Sequence, residues 1–410
     1  MPKVEIPTDK RKKGHATRHI LKQLNPLHPR IQLNPRKPTS EVLNIPNTNQ
    51  PQPTKMTTTT TPQSAKNPQI SIIGSLNIDF VTATPRCPGP GETLTATSLT
   101  VSAGGKGGNQ AVACGRASFT SQTTQDVSVN MIGAVGANDP YYTTLLQPAL
   151  QKSGVDTTSI EQSAVAQTGS ASIIVEEAIG GENRILVVPG ANHAGLLSSV
   201  GNILSALKNY PSTPDIVVLQ GEIPRTTTLG LLEYFNDCSS GERAKVVFNP
   251  APVFPEGIPL SALRGTAVLI MNETEVVQMA RSIEGLPVGD VVEGDGLRPE
   301  ELAPRFHERA GVEIVLITLG AKGVYFSTKT GRTGIVAGVK VAKVVDTTAA
   351  GDTFVGYFAT AVARFLATGR SLGEFDDDIE GAVSKANAAA AMCVQRRGAM
   401  QSIPFAYDVE

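Results

Sequence analysis

Short runs of β-branched and apolar residues recur along the chain, at 70–73, 129–132, 215–219, 245–248, 267–271 and 313–318. Several of them end in Gly, Asn, Glu or Thr. Segments of helical length and pattern lie between them, such as 141–153 and 226–236. Over 354–366 the apolar residues Phe354, Val355, Phe358, Ala361, Val362, Phe365 and Leu366 fall at i, i+3, i+4 spacing, which predicts a helix with one buried face. Strands that alternate with helices predict βαβ units. The expected fold is α/β, a three-layer α/β/α sandwich with a mostly parallel central sheet. Ligands of such folds bind at the carboxyl ends of the strands. Polar residues directly after an apolar strand are therefore where chemistry is expected.

A second pattern interrupts the first. Residues 168–175 (TGSASIIV) and 184–188 (RILVV) flank a glycine-containing turn at 179–183, which predicts a hairpin. Residues 93–102 alternate small and β-branched side chains and could add a strand. The expectation is a small β-sheet lid built from about 80–103 and 167–188. An edge hairpin of the main sheet would explain the same pattern.

Composition divides the 410 residues in two. Residues 1–67 carry 12 Lys/Arg against 3 Asp/Glu, 10 of the 28 prolines, one glycine and no aromatic residue. Such a segment cannot bury enough apolar surface to offset its ordering entropy, so 1–67 is expected to be a disordered basic, Pro-rich extension. The basic run 10–13 is a candidate nuclear address, and Met56 a candidate start of the functional protein. Residues 68–410 then carry the globular domain. The overall net charge of −1 excludes a generally basic nucleic-acid binder. No apolar run approaches the ~18–20 residues of a membrane helix, so no membrane partner is expected. Cys87, Cys114, Cys238 and Cys393 form no CxxC pair, which argues for buried thiols in a reducing, cytoplasmic setting.

The motifs that carry chemistry follow strands. Residues 346–354, DTTAAGDTF, open the 354–366 helix. Small Ala349, Ala350 and Gly351 allow close approach to the backbone, and N–H groups at a helix start suit a transferring phosphate. Asp352 could act there as general base, although an acid in a first turn also stabilises the helix dipole by itself. The run GGKGGNQ at 104–110 lacks the GxxxxGK[ST] pattern of a Walker A loop. Its Lys106, Asn109 and Gln110, with Asn77 and Asp79 after the first strand, offer the paired donors and acceptors that a polyol needs. Asn77 and Asp79 could equally be turn residues. Asn272 and Glu275 read as a helix cap compatible with a Mg²⁺–phosphate role. Thr318, Gly320 and Gly323 could let a nucleotide lie close to the chain or form a tight hairpin. Glu222 also follows a strand, and His193 and His307 are isolated. A dinucleotide-dependent dehydrogenase would need GxGxxG after the first strand, where the chain has Gly74, Ser75, Leu76 and Asn77.

Taken in order, GSLNIDF, PGETLTA, AGGKGGNQAVACGR, TGSASIIV with PGAN, NPAP, NETE, ITLGAKGV and DTTAAGDTF resemble the phosphofructokinase-B-type carbohydrate kinases from about residue 70 to 404. GGKGxNQA with an early NxD is closest to the ribokinase branch of that family. The resemblance implies ATP-dependent phosphorylation of D-ribose to ribose 5-phosphate. Asp352 would be the base and Ala349, Ala350 and Gly351 the anion hole. It implies ribose contacts at Asn77, Asp79, Gly105, Lys106, Asn109, Glu222 and Asp352. It implies nucleotide contacts at Asn272, Glu275, Thr318, Gly320, Gly323, Gly351 and Asn387, with Mg²⁺ bridging the phosphates near Glu275. A K⁺ loop would involve Asp346, Thr348, Cys393, Arg396, Gly398 and Ser402, and the lid would double as a homodimer surface. Departures are the N-terminal extension, a long stretch at 282–299, and Ala349 where many relatives have Gly. The alternatives are a kinase of another sugar or nucleoside, and a non-catalytic sugar-binding regulator.

Overall fold

The structure, a computed structural model, describes residues 67–176, 182–210, 212–237, 239, 243–282 and 296–409. All but the last residue of the expected extension at 1–67, the start at Met56, Cys238 and most of the 282–299 stretch lie outside the described residues.

In chain order the elements begin with β1 (Gln69–Ile73), β2 (Asn77–Thr84), β3 (Ser98–Gly104) and α1 (Lys106–Ala117). They continue with β4 (Ser128–Gly136), α2 (Gln147–Lys152), β5 (Val155–Asp156), β6 (Ile160–Ser163), β7 (Gly169–Glu176) and β8 (Glu182–Val188). Next come α3 (Val200–Leu207), β9 (Ile216–Leu219), α4 (Arg225–Asn236), β10 (Lys245–Phe248), α5 (Leu260–Leu263) and β11 (Val268–Asn272). The chain closes with α6 (Glu273–Ser282), α7 (Pro299–Ala310), β12 (Ile314–Thr318), β13 (Gly323–Thr328), β14 (Thr333–Ala337), α8 (Ala350–Leu366) and α9 (Ile379–Cys393).

Ten strands form one sheet in the order β14-β13-β12-β11-β10-β9-β1-β4-β5, with β6 also beside β4. Every pair from β12 through to β5 and β6 is parallel, and β13 and β14 close one edge as an antiparallel hairpin. The strands are apolar throughout because both faces are covered. Alternate residues go to opposite cores: Ile216 and Val218 pack in one, Val217 and Leu219 in the other. Helices α1, α2, α8 and α9 supply the first core, and α3 to α7 the second. The expected three-layer sandwich is therefore present. The chain leaves β1 for β4 on one side and later returns to β9 on the other. This reversal opens a crevice at the carboxyl ends of β1 and β9.

The lid is a separate four-stranded sheet in the order β3-β2-β7-β8. The hairpin predicted at 168–188 is β7 and β8, paired antiparallel, and it does not belong to the main sheet. The lid begins earlier than the expected 80, since Asn77 and Asp79 sit in β2 and are not turn residues. The expected helix at 141–153 is present as one helical run over 140–152, but it is not regular. A π-helical turn at Tyr142–Leu146 precedes α2, and Pro148 at the start of α2 has no N–H to continue the ladder.

Helices α1 and α8 lie in close contact along their length. A Cβ on Gly356 would stand 2.3 Å from the Ala113 Cβ and 2.7 Å from the Cys114 nitrogen, so only glycine permits this approach. Thr360 Oγ1 donates to the Cys114 carbonyl at 3.4 Å, and Arg364 donates to the Ala117 carbonyl at 2.9 Å while pairing with Asp126. The start of α8 is thereby delivered to the start of α1. We expect Gly356→Leu to cost about 1–3 kcal/mol of stability through overpacking. It should also lower turnover by displacing Asp352, as thermal unfolding and ATP consumption measured side by side would register.

Candidate functional site

Asp352 lies in the first turn of α8 and is 6% exposed. Its Oδ2 accepts from Asn109 Nδ2 at 2.9 Å and its Oδ1 accepts from Gln110 Nε2 at 2.9 Å. Two adjacent residues of α1 thus hold the two oxygens of one carboxylate. Gln110, read from the sequence as part of a polyol-binding set, is turned inward and fully buried.

The neighbouring residues converge from three further segments. Glu222 follows β9, and its Oε2 accepts from the Lys106 N–H at 2.8 Å and from the Ser75 hydroxyl. Gly105, with φ of 86°, allows the start of α1 to approach the β1–β2 loop; a Cβ there would stand 2.8 Å from the Asn77 nitrogen. Asn77 Oδ1 accepts from Asn192 Nδ2 at 2.7 Å, and Asn192 Oδ1 accepts from the Leu76 N–H at 2.9 Å. Asn192 therefore clamps the base of the lid. The PGAN run contained it, but nothing in its spacing pointed to Asn77, a contact that only folding creates.

The electrostatics of this cluster are unusual. Burial pushes the Asp79 carboxyl up to about 7, and the nearby Glu222 and Asp352 carboxylates add to the shift. Burial opposes the charge of Lys106, but the combined field of Asp352, Glu222 and Glu275 outweighs it and raises its pKa. The cluster thus holds several acidic groups around one ammonium. Such a set accepts hydrogen bonds from hydroxyl groups.

A cavity of about 530 Å³ opens beside it. It is lined by Asn272, Thr318, Gly320, Gly323, Gly351 and Asn387 among others, so all but one of the expected nucleotide contacts share one space. Glu275 is the exception. It caps α6 together with Asn272, whose Oδ1 accepts from the Glu275 N–H at 2.8 Å while Glu275 Oε2 accepts from the Asn272 N–H at 2.9 Å. The cap uses only Oε2 of Glu275. Gly320 and Gly323 form the predicted tight turn between β12 and β13 and also line the cavity. The apolar run at 339–345 forms no strand, and Val339, Val341 and Val344 line the same space.

The third cluster lies behind the α8 start. Asp346 Oδ1 accepts from the Thr348 N–H at 2.9 Å and its Oδ2 from the Gly398 N–H at 2.8 Å. Burial works against its charge, yet these bonds prevail and hold the carboxyl below the usual range. Cys393 Sγ lies 3.6 Å from the Thr348 carbonyl oxygen and 3.0 Å from Ser402 Oγ. Arg396 reaches the Ser402 carbonyl at 3.5 Å. The loop is thus rich in oxygen donors, carries one ionised carboxylate, and suits a hard monovalent cation. Among the described residues, no three His, Cys, Asp or Glu side chains cluster as a transition-metal site would require. His307 is structural: its ring nitrogens meet the Val312 carbonyl at 2.7 Å and Ser327 Oγ at 2.8 Å.

An acid in the first turn of a helix, with buried carboxylates on one side and a cavity of about 530 Å³ on the other, is an arrangement suited to phosphorylating a small alcohol. Residues 67–406 match the pfkB family of carbohydrate kinases, and the chain belongs to that family. It is 33% identical to a ribokinase of Schizosaccharomyces pombe over 347 residues, 83% of this chain and 96% of the relative. The crystal structure of a Thermotoga maritima ribokinase is 34% identical, covers 83% of this chain and 97% of its own, and superposes with a TM-score of 0.64. An Arabidopsis thaliana ribokinase solved with ribose and ATP is 28% identical, covers 84% of this chain and 98% of its own, and has a TM-score of 0.65. Among the described residues no helix is long and apolar enough to cross a membrane.

Two predictions follow from the geometry. The folded protein binds a proton on Asp79 between about pH 4 and 7 that the unfolded chain does not, so Asp79 makes stability fall as pH rises through that window. Asp79→Asn should therefore raise Tm most above pH 7, with the gain closing toward pH 4. Sugar hydroxyls that donate to the ionised carboxylate should bind more tightly as pH rises through 7, read as a falling sugar KM. Gly351 has nothing within 4 Å of where a Cβ would stand, and it lines the cavity. Gly351→Ala should leave Tm equal or higher, by up to about 1 kcal/mol of helix propensity. Turnover should fall about tenfold or more because the methyl occupies the ligand's space.

Proposed function

We propose that this chain transfers the γ-phosphoryl group of ATP to the 5-hydroxyl of D-ribose. The observation that carries the reading is the Asp352 carboxylate, held by Asn109 and Gln110 at the start of α8 beside a cavity that Gly351 lines. The ribokinase relatives, one of them solved with ribose and ATP, support ribose as the sugar.

In this reading the sugar lies against Asn77, Asp79, Gly105, Lys106, Asn109 and Glu222. Asn77 Oδ1 is already occupied by Asn192, so Asn77 presents its NH₂ to a sugar oxygen. Asp352 takes the proton of the 5-hydroxyl as that oxygen attacks the γ-phosphorus. The bond to the ADP oxygen breaks, and ADP leaves with the electron pair. Base catalysis of this kind contributes about 10²–10⁴ in rate, and positioning and charge stabilisation supply the rest. The anion hole is the start of α8, residues 349–351. The Ala350 N–H already donates to the Thr347 carbonyl at 3.3 Å, so the weight falls on Gly351.

ATP lies in the cavity along Asn272, Thr318, Gly320, Gly323 and Asn387. Burial raises the Glu275 carboxyl above its usual range, so its charge is not fully offset within the chain. That suits a hydrated Mg²⁺, which would supply charge neutralisation on the phosphates. The 346–348 and 393–402 segments would hold K⁺ through Asp346, Ser402 and the carbonyls of Thr348, Cys393, Arg396 and Gly398, and so order the anion-hole loop. The lid exposes Leu99, Ile185, Leu186, Val187 and Val188, an apolar surface suited to a second copy of the chain. The reading places the enzyme in the cytoplasm, with the basic run 10–13 as a nuclear address still to be tested.

The test is ATP turnover with ribose and its epimers, with and without K⁺, on the full chain and on a chain starting at Met56. Ribose should give the highest kcat/KM, and K⁺ should raise it. Asp352→Asn should fold and bind ribose while losing at least about two orders of magnitude in kcat. Undiminished turnover in that variant would remove Asp352 from the mechanism.

A further inference from the structure

Gln110 is fully buried, and every polar atom of its side chain is engaged. Its Nε2 donates to Asp352 Oδ1 at 2.9 Å and lies 3.1 Å from Asn249 Oδ1, an acceptor that follows β10. Its Oε1 accepts from Gln220 Nε2 at 2.8 Å, a donor that follows β9. The orientation of the amide is therefore settled: turned over, it would set oxygen against two oxygens and nitrogen against a donor. Asn249 in turn donates to the Ile270 carbonyl at 3.0 Å and hydrogen-bonds the Glu275 carboxylate. A run of buried amides thus connects the acid at the start of α8 with the acid at the start of α6.

We propose that Gln110 is a positioning residue for phosphoryl transfer, locking the Asp352 carboxylate in its working plane and tying it, through Asn249, to Glu275 on the phosphate side. This rests on the assignment of Asp352 as general base. Asn109 alone leaves the carboxylate able to rotate about its Cβ–Cγ bond. The second donor, on the other oxygen, removes that freedom and leaves each oxygen a lone pair with which to accept a proton. Gln110 itself touches neither sugar nor nucleotide, because it is enclosed by α1, α8 and the ends of β9 and β10.

The experiment is a cycle on the full-length protein with Gln110→Met, Asp352→Asn and the double variant, measuring kcat and the ribose KM with Tm as a control. Gln110→Met is expected to lower kcat roughly 10–100-fold, the scale of a misoriented catalytic group, with ribose KM changed by less than about threefold. In the Asp352→Asn background the same change is expected to cost no further kcat, since the group it orients is gone. An equal kcat loss in both backgrounds would make Gln110 a packing residue only. A rise in KM at constant kcat would make it a sugar contact. Either result overturns the proposal. Should Gln110→Met not fold, Gln220→Leu replaces it. That change removes the donor to Gln110 Oε1 and should give the same kcat-only signature at smaller size; unchanged kcat there would equally overturn it. If Asp352→Asn turns over normally, the base assignment itself fails. A dead Asp352→Asn beside a fully active Gln110→Met defeats only the role of Gln110.

Discussion

Two N–H donors from neighbouring residues of one helix meet the two oxygens of a carboxylate on another, and the site is organised around that contact. It requires α1 and α8 to touch closely enough for side chains as short as Asn and Asp to reach each other. Gly356 supplies the approach one turn beyond Asp352, and the Arg364–Asp126 pair secures the far end. The same helices fill one face of the sheet with Phe354, Phe358 and Val362. Packing of the core and placement of the acid are one problem in this protein. A change that loosens the first moves the second.

Charge is the second constraint. Asp79, Glu222 and Asp352 stand close enough to influence one another, and Lys106 is a cationic neighbour of Glu222 and Asp352. Without a ligand this arrangement is costly, and Asp79 responds by taking up a proton near neutral pH. In the proposed function a polyol would relieve the cost by donating hydroxyl hydrogens to the acids, and selectivity for a hydroxyl-rich substrate would come from groups that are poorly satisfied without one.

The lid adds a different kind of control. Asn77 and Asp79 sit at the start of a lid strand, so two of the proposed sugar contacts belong to the lid and not to the main sheet. Asn192 grips the Leu76 backbone and the Asn77 side chain from the far end of the β7–β8 hairpin. Two of the four crossings between core and lid, after β1 and after β8, are thus tied at one point.

Much of this was legible beforehand, for a physical reason. Strands covered on both faces must be apolar throughout, so β1, β9, β10, β11 and β12 stood out as runs, and helix spacing revealed α8. Residues whose role depends on local backbone also showed themselves: the 349–352 turn, the Asn272–Glu275 cap and the Gly320–Gly323 hairpin. The start of the lid at Asn77 and the π turn at Tyr142–Leu146 were missed, because register and partner choice are not local properties. Whether Gln110 faces sugar or core could not be decided from GGKGGNQ, since adjacent helical positions differ by about 100° in direction and either could point inward. Sequence alone determined the α/β alternation and which residue types were present to do chemistry. Tertiary structure alone decided that Asn109 and Gln110 share one carboxylate 242 or more positions away, that Asn192 holds Asn77, and that three acids crowd Lys106. Those contacts join segments far apart in the chain, and only the packing of helices on a completed sheet brings them within hydrogen-bonding reach.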